Sequence, residues 1–91
     1  MKKRNAVRIH RADSVAVAAR DIGPGEEVVT ETGPVVQAVE PIPAGHKVAL
    51  SDLRKGDAII KCGETIGVAS TDIRRGTWVH THNVTGDKTD G

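Results

Sequence analysis

The stretch VHTHN (79–83) sets two imidazoles, His80 and His82, one residue apart, with the carboxamide of Asn83 beside them. In an extended strand, side chains at i and i+2 project from the same face. His80 and His82 would then stand side by side, with Thr81 and Asn83 opposite. Paired imidazoles can form part of a metal site, which needs about three or more converging ligands. They can equally bind an anion or a polyol. His10, His46, Asp13 or a residue of another chain could complete a ligand set. The same spacing also occurs on exposed strands that bind nothing, and the residues alone leave that alternative open.

Three further stretches carry polar chemistry. In GHKVAL (45–50), Gly45 lets the chain turn, and His46 and Lys47 sit at the exit. An ammonium and an imidazole beside exposed backbone N–H groups suit a carboxylate or another oxyanion, although an ordinary polar turn has the same composition. KCGE (61–64) offers Lys61 and Glu64 as ligand contacts. Cys62 reads more readily as a small packing residue than as a nucleophile. In HRADSVAVA (10–18), His10 and Asp13 flank the entry to a strand. An aspartate there commonly fixes a turn through its own side chain rather than acting as a general base. No Ser-His-Asp arrangement, phosphate-cradling glycine loop or pair of carboxylates at acid/base spacing is evident.

The elements that position these residues must come from a short chain. Its 91 residues make one domain, which buries about 60–65% of the surface of its unfolded chain. With no Phe, no Tyr and only Trp78, the core is built from Val, Ile, Ala and Leu. One aromatic ring gives little to stack bases on. A net charge of +1, from 13 basic and 12 acidic residues, gives no field for a polyanion. Nucleic acid is therefore not an expected partner. No apolar run is long enough to span a bilayer. The basic start MKKRNAVRIHR is interrupted by Arg8, His10 and Arg11, unlike a signal peptide. A single cysteine fits a reducing compartment, so the expected location is cytoplasmic, away from membranes.

A punctuation mark repeats along the chain. The pattern aliphatic-x-x-Gly-x-x-aliphatic fits Ile22-Gly25-Val28, Ile42-Gly45-Val48, Leu53-Gly56-Ile59 and Ile73-Gly76-Val79. Asp21, Asp52 and Asp72 precede three of these units, and Pro41 precedes the second. The step from the first copy to the third, Ile22 to Leu53, equals the step from the second to the fourth, Ile42 to Ile73. The chain therefore reads as two similar, interlocked halves. Between the turns, β-branched runs predict about seven strands: VAVA (15–18), EVVTE (27–31), PVVQAV (34–39), KVAL (47–50), AIIK (58–61), TIGVAS (65–70) and TWVHTHNV (77–84). Single helical turns are expected at SDLRKGD (51–57) and TDIRRG (71–76), capped by Ser51 or Asp52 and by Asp72. The expectation is a small all-β domain over residues 1–84, followed by a disordered tail at 85–91 that brings no core residue.

The order HRADSVAVA, then IPAGHKVAL, IIK-x-GE-x-IG and VHTHN, resembles the small subunit or N-terminal domain of the altronate/galactarate dehydratase family. That group also includes the small subunit of sulfolactate sulfo-lyase. The resemblance covers about residues 7–84 and implies a SAF-type β-clip. It further implies a lyase that eliminates water, or sulfite, from a sugar acid or 2-hydroxy acid. The cofactor implied is a divalent metal, commonly iron, mostly held by a large dehydratase-type subunit that carries the main catalytic part. The partners implied are that subunit and a small acidic metabolite, and the chain would be inactive alone. The matching positions are His80, His82 and Lys61 as catalytic, and His46, Lys47 and Asn83 as substrate-binding. Asp13 is a looser substrate-binding match, His10 matches the family's opening loosely with no role assigned, and His80 and His82 could serve as metal ligands.

On this reading, Lys47 or Lys61 grips the substrate carboxylate while His80 and His82 bind metal or polarise the leaving group. His46, Lys61 and His80 would share one polar hollow. Three departures from the family pattern bear on substrate: Cys62 where an aromatic is common, Ser14 for a frequent asparagine, and Trp78. Two alternatives of other classes stand beside the lyase subunit. One is a non-catalytic ligand-binding or assembly module, since fold alone does not choose a function. The other is a stand-alone metalloenzyme with its pocket at a homodimer interface.

Overall fold

The successive apolar residues of VAVA and KVAL leave no face to water. The computed structural model describes residues 3–86, and there Val15, Ala16, Ala18, Val48 and Ala49 are all buried. The cause is that β2 (Val15–Ala18) and β5 (Lys47–Ala49) run antiparallel between two separate cores. Ala16, Ala18 and Val48 face a first core with Ala6, Ile22, Val28, Ala38 and Ile42. Val15 and Ala49 face a second with Leu53, Ile59, Ile66, Ala69, Ile73 and Val79. Strands buried on both faces read as continuous apolar runs rather than as alternation.

The β2–β5 pair is the middle of a four-stranded sheet flanked by β1 (Ala6–Val7) and β8 (Trp78–Val79), in the order β1-β2-β5-β8. Each core is closed by a hairpin. The first hairpin joins β3 (Glu27–Thr30) to β4 (Gly33–Gln37). The second joins β6 (Ala58–Lys61) to β7 (Glu64–Ala69), and β9 (Val84–Thr85) adds to β7. Every pairing is antiparallel. The architecture is thus all-β, with short strands and tight turns as expected.

The equal step between repeat copies is built into the backbone. Val28 pairs with Val36 and Ile59 with Gly67, and both hairpins shift register at the same place, after Val28 and after Ile59. The cores correspond in the same way: Ala18, Ile22, Val28, Ala38, Ile42 and Val48 in one match Ala49, Leu53, Ile59, Ala69, Ile73 and Val79 in the other.

The four punctuation units associate in pairs, through bridges between Ile22 and Ile42 and between Leu53 and Ile73. Here the structure corrects the expected helical turns: no helix occurs among the described residues. The aspartates cap across the bridge instead of within their own segment. Asp21 Oδ1 accepts from Ala44 N, Asp52 Oδ1 from Arg75 N and Asp72 Oδ1 from Lys55 N, at 2.8–2.9 Å. In each case the donor lies two residues after the partner unit's first aliphatic. For the second unit that donor position is Pro24, which has no N–H. Its capping position is correspondingly Pro41, which has no carboxylate.

Two further expectations change at the C-terminal end. TWVHTHNV is not one strand: β8 stops at Val79, a turn occupies residues 80–83, and β9 follows. Thr85 belongs to β9, paired with Val68, so the ordered chain extends past the expected boundary at 84. The rest of the expected tail, 87–91, lies outside the described residues.

Candidate functional site

Strand alternation places His46, Val48, Trp78 and His80 on one face. Val48 pairs with Trp78 and Lys47 with Val79, so His46 and His80 fall opposite each other one step further on. The rings meet accordingly. His46 and His80 have centroids 4.8 Å apart, and His46 and Trp78 5.6 Å. The Trp78 indole stacks on His80 at 5.4 Å and 9°, and His82 lies against it at 5.1 Å and 46°. Trp78 Nε1 donates to His46 Nδ1 at 3.1 Å. Trp78 therefore touches all three imidazoles. Its indole also packs on the first core, which ties the polar cluster to the fold. His46, Trp78 and His80 are half-buried and His82 is exposed.

The backbone around this cluster is closely held. His46 follows Gly45 in a turn where His46 N donates to the Pro43 carbonyl and Ala18 N donates to the His46 carbonyl. At 80–83, Asn83 closes the turn: its Oδ1 accepts from His80 N, its Nδ2 donates to the Trp78 carbonyl and its own N donates to the His80 carbonyl. Asn83 is 4% exposed, with its amide committed to the main chain. Glu40 accepts from Trp78 N at 3.0 Å and brings a carboxylate to the base of the cluster. The extended-strand expectation for His80 and His82 thus gives way to a turn, in which they share Trp78 rather than one strand face.

A second polar group lies elsewhere. Asp13 is 3% exposed, and its carboxylate accepts from Gly63 N at 2.8 Å and His10 N at 3.0 Å. Burial works against ionisation of Asp13, but the amides of Gly63, His10 and Cys62 outweigh it and hold the carboxyl below its usual pKa. The tip it binds is the two-residue turn Cys62–Gly63, where both residues have positive φ, 57° and 77°. Arg8 Nη2 donates to the carbonyls of Arg11 and Asp13, and Lys61 leads into the tip.

The two groups sit at opposite ends of the β2–β5 ladder. Leu50 N donates to the Ser14 carbonyl at one end, and Ala18 N to the His46 carbonyl at the other. Four extended residues separate these points, roughly 13 Å. The fold therefore brings His46, His80 and His82 together and leaves Lys61, His10 and Asp13 apart from them, so the single shared hollow is not formed. Lys47, next to His46, takes the opposite strand face, in register with Val17 and Val79.

The expected metal is assigned mostly to a large chain, with His80 and His82 as part of its ligand set. Among the described residues no group of three His, Cys, Asp or Glu side chains is gathered to hold an ion, and His46 Nδ1 is already bonded to the indole. The sequence reading missed Trp78 as a partner of the histidines and Glu40 as a partner of Trp78. Trp78 had a usable signal, since it stands two residues before His80 and so on the same strand face. Glu40 had none, because it reaches Trp78 across 38 residues.

Two half-cores closed by matching hairpins, with polar groups at the ends of the shared ladder, make this a small SAF-type β-clip. The altronate/galactarate dehydratase SAF domain family matches residues 4–87, and the chain belongs to it. It is similar to altronate dehydratase of Escherichia coli (strain K12), 43% identical over 77 residues, and to that of Bacillus subtilis (strain 168), 40% identical over 77 residues. Both alignments cover 85% of this chain and 15% of the relative, so the chain spans about one-seventh of those proteins. It is also similar to (2R)-sulfolactate sulfo-lyase subunit alpha of Paracoccus pantotrophus, 55% identical over 42 residues, covering 46% of this chain and 63% of that protein.

Proposed function

We propose that this chain is the small subunit of a lyase that eliminates water, or sulfite, from a sugar acid or 2-hydroxy acid, with the main catalytic part on a separate large chain. The observation that carries this reading is the likeness to a protein named as the alpha subunit of (2R)-sulfolactate sulfo-lyase, which supports a multi-chain enzyme, beside the SAF domain match over residues 4–87. The divalent metal, iron by family resemblance, would be held by the large chain.

In this role the open imidazole–indole cluster faces the partner and the acid. Elimination beside a carboxylate builds negative charge on oxygen, which fixed N–H donors stabilise. His80 and His82 polarise the departing group, and His46 contacts the acid. Asn83 and Asp13 hold the turns that aim the neighbouring residues.

The test is a His80→Ala, His82→Ala double variant, mixed with the large dehydratase-type chain and assayed on altronate, galactarate and (2R)-sulfolactate. The expected result is a fall in turnover of at least about 100-fold on the substrate the wild-type pair uses. Normal turnover would remove these histidines from the reaction. Tight binding of a sugar acid with no large chain able to act on it would favour a binding module instead.

A further inference from the structure

An indole N–H can donate but cannot accept. The atom that Trp78 Nε1 meets at 3.1 Å, His46 Nδ1, must therefore present a lone pair. A neutral imidazole with its lone pair on Nδ1 carries its hydrogen on Nε2. In that tautomer Nε2 has no lone pair with which to ligate a metal or take a proton, but it can donate. The alternative tautomer would set two N–H groups against each other.

Both rings are held in this relation. His46 is fixed at its backbone by Pro43 and Ala18 and is touched by the His80 ring at 4.8 Å. Trp78 is fixed at its own N by Glu40, at its carbonyl by Asn83 and on its ring by the stacked His80.

We propose that Trp78 is a positioning residue that locks His46 in its Nε2–H tautomer, making His46 a hydrogen-bond donor to an oxyanion of the substrate acid. The tautomer follows from the geometry of this chain, and the identity of the acceptor rests on the lyase reading above. The donor serves the carboxylate or the departing hydroxyl as charge accumulates there, and no bond to His46 forms or breaks. This assigns His46 a role different from a metal ligand or a general base.

The test is an imidazole nitrogen–proton correlation spectrum of the 91-residue chain labelled with 15N-histidine. Wild type should show His46 with a bare Nδ1 and a protonated Nε2, and one equivalent of Zn²⁺ should leave that proton in place. Trp78→Phe keeps a ring but no donor, and should spread His46 over both tautomers. A wild-type Nδ1–H, displacement of the Nε2 proton by Zn²⁺, or an unchanged single tautomer in Trp78→Phe would each overturn the proposal. If that variant does not fold, the wild-type spectra with and without Zn²⁺ still decide.

In the complex with the large chain, His46→Gln retains a donor near the Nε2 position and should keep most turnover. His46→Ala should lose about 10²–10³-fold. Equal losses would contradict a donor role. The predicted tautomer in a pair that turns over no acid would sink the lyase reading alone, and turnover with the opposite tautomer would sink only this proposal.

Discussion

At the residue scale, two turns are closed by the same device. In His10–Asp13 and in His80–Asn83, the side-chain oxygen of the fourth residue accepts from the histidine N–H, and its own N–H donates to the histidine carbonyl. Asp13 goes further and pins the hairpin tip at Gly63. Replacing Asp13 with Ala removes the charged acceptor of the part-buried Gly63 and His10 amides and should cost about 1–3 kcal/mol, read as a lower urea midpoint. Because the folded pKa of Asp13 is depressed, its contribution is complete above the usual carboxylate pKa of about 3.9. It is lost as pH falls through the folded value. The gap between wild type and Asp13→Ala should therefore narrow from pH 6 to pH 3, and a gap of constant width would contradict the linkage. The turn-fixing role of Asp13 was legible because aspartate at a strand entry does this locally. That of Asn83 was not: the β-branched context of VHTHN suggested a strand, and its shared spacing with HRAD went unread.

A second residue-scale correspondence concerns Ser14. Ser14 Oγ accepts from Ile60 N as Asn5 Oδ1 accepts from Val29 N, and Val29 and Ile60 hold equivalent places in the two hairpins, each just after the register shift. Asn5 also donates through Nδ2 to the Glu27 carbonyl, and a serine has no second group to match it. Ser14→Asn should therefore gain one hydrogen bond, about 0.5–1.5 kcal/mol, and raise Tm by several degrees in a chain of this size. A lowered Tm would show that the two hairpin junctions are not equivalent.

At the element scale, the repeat was readable from glycine and aspartate spacing, but its consequence was not. A carboxylate before an aliphatic residue suggests a local cap. These carboxylates instead reach across a bridge between two units distant in the chain, Ile22 with Ile42 and Leu53 with Ile73. Only the fold supplies that partner. The four turn glycines share positive φ of 83–92° but differ in surroundings. A Cβ on Gly25 would meet nothing within 4 Å, whereas one on Gly76 would lie 2.1 Å from the Gln37 carbonyl oxygen. Gly25→Ala should cost about 1–2 kcal/mol from the left-handed backbone alone. Gly76→Ala adds a collision between main chains and should cost clearly more, by thermal or urea unfolding. It should also disturb the ring contacts of Trp78, two residues on. Equal costs would show that the turn beside β8 yields freely.

At the scale of the whole molecule, the β2–β5 ladder separates two small cores and sets two polar groups at its ends. The all-β class and the two similar halves were legible, because punctuation and β-branched runs are local signals. The distribution of polar residues was not, since which end of a ladder a turn reaches depends on pairing register. That register placed His46 with His80 and kept Lys61 away. The resulting cluster is open, lacks a metal set of its own among the described residues, and belongs to a domain that makes up about 15% of its dehydratase relatives. On the proposed reading, such a surface contributes donors and shape to a reaction centre completed by the large chain.

The most direct measurement is acid elimination by three samples: this chain alone, the large dehydratase-type chain alone, and the two mixed at equal concentration. No turnover is expected from the first, little from the second and rapid loss of water or sulfite from the third. Turnover by the small chain alone, or a large chain fully active without it, would contradict this division of labour.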